Sequence, residues 1–156
     1  MKNTILGLDK KEVSKLAEEL NILLANFQIY YQNLRGLHWN IKGKSFFELH
    51  VKFEELYTDA HEKIDMIAER ILTLEGKPMH TFEDYIKHAE VPVGKNVSQD
   101  KEAVQLVLDS LAILLEIERK IMISSAEADD EGTNSLISDF ISEQEKTSWM
   151  LKAWLS

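Results

Sequence analysis

The chain has 156 residues, of which 44% are hydrophobic and 29% charged, with no cysteine and a formal net charge of −9. This length predicts a single domain, 1–156, with a core of its own, and the missing cysteines exclude disulfides and thiolate metal sites. The acidity disfavours phosphate backbones and favours cations as partners, and no apolar run approaches membrane-spanning length.

The opening stretch "MKNTILGLDKK" has no apolar h-region, so no secretory leader is expected and a cytoplasmic location is. The first predicted helix spans about 9–37, with Asp9 as N-cap and Glu12 three residues on. Val13, Leu16, Leu20, Leu23, Leu24, Phe27, Tyr31 and Leu34 follow at helical spacing, and Gly36 is the expected stop.

The second helix is expected over 46–75. Ser45 and Glu48 read as an S-x-x-E capping box, and "GKP" at 76–78 ends the run. A short helix is expected over 81–89, "TFEDYIKHA", inside a connection of about 20 residues. The third long helix is expected over 99–128 and the fourth over 134–155, separated by "EADDEGTN". The fold class is therefore all-α. Four long helices with one long middle connection predict a ferritin-like four-helix bundle, its crossover lying between helices two and three and carrying the short extra helix.

Bundles of that type often hold iron with Glu-x-x-His pairs on inward faces. That spacing occurs nowhere in the chain, so an intrabundle di-iron site is not expected. Another set stands out. His38 ends the first run, and His50, Glu54, His61, Asp65 and Glu69 lie within about 100° of arc on the second. Yet His50 and Asp65 are separated by about 22 Å of helix axis, too far for one ion with ligands near 2 Å.

A two-fold axis near residues 58–60 removes the conflict. It sets His50 of one chain opposite Asp65 and Glu69 of another, and makes the site twice. Two imidazoles with two carboxylates suit Fe(II), with zinc as the competing ion. Taken singly, each of these residues is more often a solvated or packing side chain, and His80, His88 and Trp39 carry no independent signal.

The segments "LHWNIKG", "FFELH", "IDMIAER" and "WMLKAWL", with the order His38, His50, Asp65, Glu69, resemble the Dps miniferritins along essentially the whole chain. The resemblance implies a hollow dodecamer and ferroxidase centres at its two-fold interfaces. His38 and His50 would come from one chain, and Asp65 and Glu69 from its neighbour. It implies iron as substrate and stored mineral, hydrogen peroxide as preferred oxidant, protection from oxidative stress, and zinc as a surrogate metal. Glu54 stands where the family often has aspartate, and either ligates or orients His38. Asp130 and Glu131 match the region of the family's acidic pores, while Ser135 stands where an aspartate is common. Lys2, Lys10, Lys11 and Lys15 are interleaved with acids, so DNA binding is not expected. The alternatives are an acidic bundle that buffers zinc without redox turnover, and a helical interaction module with incidental histidines.

Overall fold

The computed structural model describes residues 2–156. Its helices are α1 (Lys10–Asn40), α2 (Phe46–Thr73), α3 (Phe82–His88), α4 (Asp100–Glu127) and α5 (Glu131–Leu155). Among the described residues there is no strand, only an isolated bridge between Asn3 and Asp9.

Asp9 caps α1 as its residue type predicts, its carboxylate accepting from Lys11 N and Glu12 N. The helix does not stop at Gly36. It continues to Asn40, and the N–H of Ile41 donates to Leu37 O. A glycine inside a helix costs about 1 kcal/mol. Burial of Leu37 and Ile41, each 2% exposed, returns roughly 1.5–3 kcal/mol apiece and prevails. The extra turn brings His38 into the helix.

The expected capping box at the start of α2 is not formed. Ser45 makes no side-chain cap bond and sits at φ −94°, ψ 16°, outside the extended conformation that N-caps adopt. The turn is closed by backbone instead, with Phe46 N donating to Gly43 O. Glu48 accepts from Trp154 Nε1 at 3.2 Å, so its carboxylate is turned toward α5. At the other end Glu75 takes φ 65° and Gly76 N donates to Ile71 O. A side chain at Gly76 would meet Ala17 Cβ at 2.9 Å, which explains the glycine: the end of α2 lies against the start of α1.

The long crossover is tied to α1 by three asparagines. Asn21 donates to Lys77 O and accepts from Met79 N. Asn26, fully buried, accepts from Glu90 N and Val91 N at 2.7 and 2.9 Å. Asn33 donates to Pro92 O and accepts from Gly94 N. The chain therefore runs back along α1 from its beginning toward its end, where Lys42 N donates to Ser98 O. This delivers α4 parallel to α2, the ferritin-like arrangement.

α5 begins at Glu131, three residues before its expected start. Asp130 is its N-cap, accepting from Thr133 N, and it also receives Arg70 Nη2 at 2.7 Å. The core is filled by side chains such as Leu20, Leu24 and Phe27 of α1, Phe53 and Ile67 of α2, Leu111 and Leu114 of α4, and Ile137 and Phe140 of α5. Met150 of α5 is 41% exposed.

Candidate metal centre

The two histidines that the sequence separates by twelve positions meet in space. His38, on the last turn of α1, and His50, on the first turns of α2, stack with ring centroids 3.8 Å apart and planes inclined by 10°. Each ring is tethered by the other residue's main chain. His38 Nδ1 lies 2.6 Å from His50 O, and His50 Nδ1 lies 2.7 Å from His38 O.

A carbonyl oxygen can only accept, so both Nδ1 atoms carry their protons. In the neutral rings both Nε2 atoms then keep a free lone pair. That tautomer, set by a backbone partner at the other nitrogen, is the one a metal-ligating histidine needs. His38 is buried and His50 half-buried.

Their surroundings are aromatic. Phe46 stacks on His50 at 4.9 Å, and Tyr57 meets His38 edge-on at 5.4 Å. Tyr31 packs on Tyr57 and lies 5.8 Å from His61. Sequence reading did not single out Tyr57 or Phe46. Tyr57 lies seven residues after His50, the spacing of one helix face, and could have been found by that signal. Trp39 is 58% exposed, with the Arg35 guanidinium over its ring at 4.9 Å.

Glu54, His61, Asp65 and Glu69 all stand on the exposed side of α2. Asp65 and Glu69 enter no side-chain hydrogen bond or ion pair among the described residues. They are not brought to the histidines within the chain. Among the described residues no three histidine, aspartate or glutamate side chains converge as a metal site. One chain thus carries an imidazole pair at one end of α2 and a carboxylate pair about four turns away.

His80 and His88 are used locally, their Nδ1 atoms near Pro78 O and Asp84 O. Asp130, matched to the region of the family's acidic pores, is engaged within the chain. It is 2% exposed and held by Arg70 and by Thr133, both its N–H and its hydroxyl. Glu131 remains exposed.

A ferritin-like domain family model matches residues 17–156. The DNA protection during starvation protein of Porphyromonas gingivalis is 44% identical over 150 residues, covering 96% of this chain and 94% of that protein. A crystal structure of a Dps protein from Vibrio cholerae O1, described as a member of a broad superfamily of ferritin-like diiron-carboxylate proteins, superposes with a TM-score of 0.98. It is 51% identical, over 100% of this chain and 98% of that one. A Listeria innocua Dps variant with two histidines twelve positions apart replaced by glycine superposes with a TM-score of 0.87. It is 25% identical, over 90% of this chain and 93% of that one.

Fold and histidine pair together define a ferritin-like four-helix-bundle protein. Within that class the chain belongs to the Dps family of miniferritins.

Proposed function

We propose that this chain is an iron-storage and detoxification miniferritin, which oxidises Fe(II) at centres shared between two subunits and keeps the ferric product inside a hollow dodecamer. The observation that carries this reading is the reciprocal tether of His38 and His50, which in the neutral rings leaves both Nε2 lone pairs available to a cation.

In the two-fold pairing, the partner copy presents the carboxylates of positions 65 and 69 to that imidazole pair. Carboxylates favour Fe(III) over Fe(II) by added negative charge, which lowers the barrier to electron loss. Glu54, one turn after His50 on the same helix, either completes the sphere or orients His38. With hydrogen peroxide as oxidant, two Fe(II) ions each give one electron. The O–O bond breaks, and with two protons taken up two waters leave. No hydroxyl radical is released, because both electrons are supplied at one site. Among the described residues Asp65 and Glu69 have no competing side-chain partners, which suits groups reserved for a neighbour.

The exposed apolar residues Val51, Met66 and Leu72 on α2 support burial of this helix face against another copy. The net charge of −9 and the acidic face of α2 favour cations as substrate.

The test is anaerobic Fe(II) titration followed by hydrogen peroxide, reading ferric absorbance, on the wild type and on His50→Ala, with the assembly sized alongside. The wild type should run as a dodecamer and oxidise iron rapidly. The variant should keep its size and lose the fast phase. Normal oxidation by the variant would overturn the ligand assignment.

A further inference from the structure

The acidic face of α2 poses a charge problem for any second copy laid against it. Lys52, Lys63 and Arg70 are the lysines and arginines of this helix. Each is already paired within the chain, Lys52 with Glu55, Lys63 with Asp59 and Glu143, and Arg70 with Asp130. Glu54, Glu62, Asp65 and Glu69 enter no ion pair among the described residues. An antiparallel pair of α2 helices would set these carboxylates beside their copies with no spare ammonium or guanidinium on either helix. Like charges facing one another across an interface oppose binding.

The adjoining flank of α1 carries a cation. Arg35 is half-buried, with its guanidinium over the rings of Tyr31 and Trp39 at 5.5 and 4.9 Å. Among the described residues its side chain makes no hydrogen bond or ion pair. The two rings steady the guanidinium without satisfying its N–H donors. Between Lys15 and Lys42 it is the chain's only lysine or arginine. Arg35 also borders a groove of about 360 Å³ between α1 and the crossover, where Phe82, Ile86 and Val93 are exposed. Apolar side chains beside an unsatisfied arginine are the composition of an interface.

The packing of α1 on α2 fixes the level at which this charge stands. His38 stacks on His50 and Tyr31 packs on Tyr57, so the two helices run antiparallel and Arg35 is level with Glu54. The dyad that sets His50 opposite positions 65 and 69 sets Glu54 opposite positions 61–65 of a second copy. It also keeps the α1 flanks of both copies on one side. Two acids fall in that window. Glu62 borders the cleft between α2 and α5, with Asp139 and Glu143, and so leans away from α1. Asp65 lies about 40° of arc from His61, the α2 residue beside Tyr31 of α1.

We propose that Arg35 is a cross-chain positioning residue, whose guanidinium pairs with the Asp65 carboxylate of a second copy and holds it toward the histidine pair before any metal arrives. The proposal rests on the two-fold reading above. One carboxylate oxygen receives the guanidinium while the other stays turned to the metal. The same pair supplies the counter-charge that the meeting of two acidic helices requires.

The experiment is made in chelator, without iron, so that it reads assembly and not oxidation. Thr58 is exposed and near the dyad. In a chain with no cysteine of its own, Thr58→Cys should link copies as disulfide dimers on mild oxidation. Cross-linking and light scattering are followed against subunit concentration, with helical circular dichroism alongside. Arg35→Glu in this background should raise the concentration for half-maximal assembly by at least about tenfold, because like charges then meet. Arg35→Lys, which keeps the charge, should not. Adding Asp65→Arg to Arg35→Glu should restore assembly. Should Arg35→Glu fail to fold, Arg35→Gln, which removes the charge alone, should shift assembly in the same direction. Unchanged assembly of the folded variant, with Thr58→Cys still cross-linking, would overturn the pair and leave the two-fold reading standing. A shift that Asp65→Arg does not reverse would overturn it too, as would an equal shift in Arg35→Lys. No disulfide dimer from Thr58→Cys in an assembled protein with Arg35 intact would overturn the two-fold reading, and the pair with it.

Discussion

His38 and His50 each hold the other's ring through a main-chain carbonyl, not through a side chain. Replacing either imidazole therefore leaves the tether of its neighbour in place. His38→Ala and His50→Ala should each lower Fe(II) affinity by at least about 100-fold, the upper end of what loss of a ligand's supporting contacts costs. Each should stay folded, within about 1–3 kcal/mol of wild type. Isothermal titration under anaerobic conditions and thermal unfolding measure the two effects separately.

The pair Arg70–Asp130 closes the α2–α5 corner, with side chains 20% and 2% exposed. Asp130→Ala removes an N-cap and strands a largely buried guanidinium, and should destabilise by about 3–5 kcal/mol. Glu131→Ala, one residue on and exposed, should change stability by less than about 0.5 kcal/mol. Urea unfolding of both variants makes the comparison.

Asn26 accepts from two successive backbone N–H groups of the crossover. Asn26→Leu leaves both donors buried and unpaired, at about 1–3 kcal/mol each. Hydrogen exchange should accelerate first at Glu90 and Val91. Asn26→Asp keeps an acceptor and should restore most of that protection.

Burial pushes the Glu118 carboxyl up from 4.5 to about 8, only partly opposed by the Gln144 hydrogen bond and the charges of Lys63 and Arg119. Between those values the folded chain holds a proton that the unfolded chain has released. Stability therefore falls as pH rises from about 4.5 to about 8, by an amount on the order of 5 kcal/mol at most, and is flat with respect to this group above that. Glu118→Gln should remove this slope and be the more stable protein at pH 8. Unfolding midpoints of both proteins between pH 5 and 9 test this.

Residues 2–10 are folded back on themselves, since Lys10 N donates to Lys2 O and Thr4 N to Leu8 O. Together with the charge of −9, this predicts no retardation of duplex DNA in gels at physiological salt without added divalent metal.

The helices were legible because apolar residues recur along each at three- and four-residue spacing, and Asp9 announced its own cap. The ends were less so. Gly36 reads as a stop, but its cost is local while the burial that overrides it is tertiary. Ser45 reads as a cap, but its turn is closed by backbone. The crossover could be inferred from its length. Its attachment through Asn21, Asn26 and Asn33 could not, because a polar residue on a helix carries no sign of a partner some sixty residues away. The histidine pairing was suggested by spacing and resemblance. The tautomer that makes it useful depends on two carbonyls that no sequence displays. The pairing of Asp130 with Arg70 could not be read, because an acidic residue in a loop looks the same whether or not an arginine faces it.

The shared centre is tested most directly by complementation between two inactive variants, His50→Ala and Asp65→Ala, unfolded together and reassembled as a mixture. Each alone should lack fast peroxide-driven Fe(II) oxidation, since every site loses a ligand. In a mixed dimer one site receives intact histidines from one chain and intact carboxylates from the other. Random mixing should then restore about a quarter of wild-type sites. Activity no greater than that of the separate variants, in a mixture that reassembles fully, would contradict a centre built from two chains.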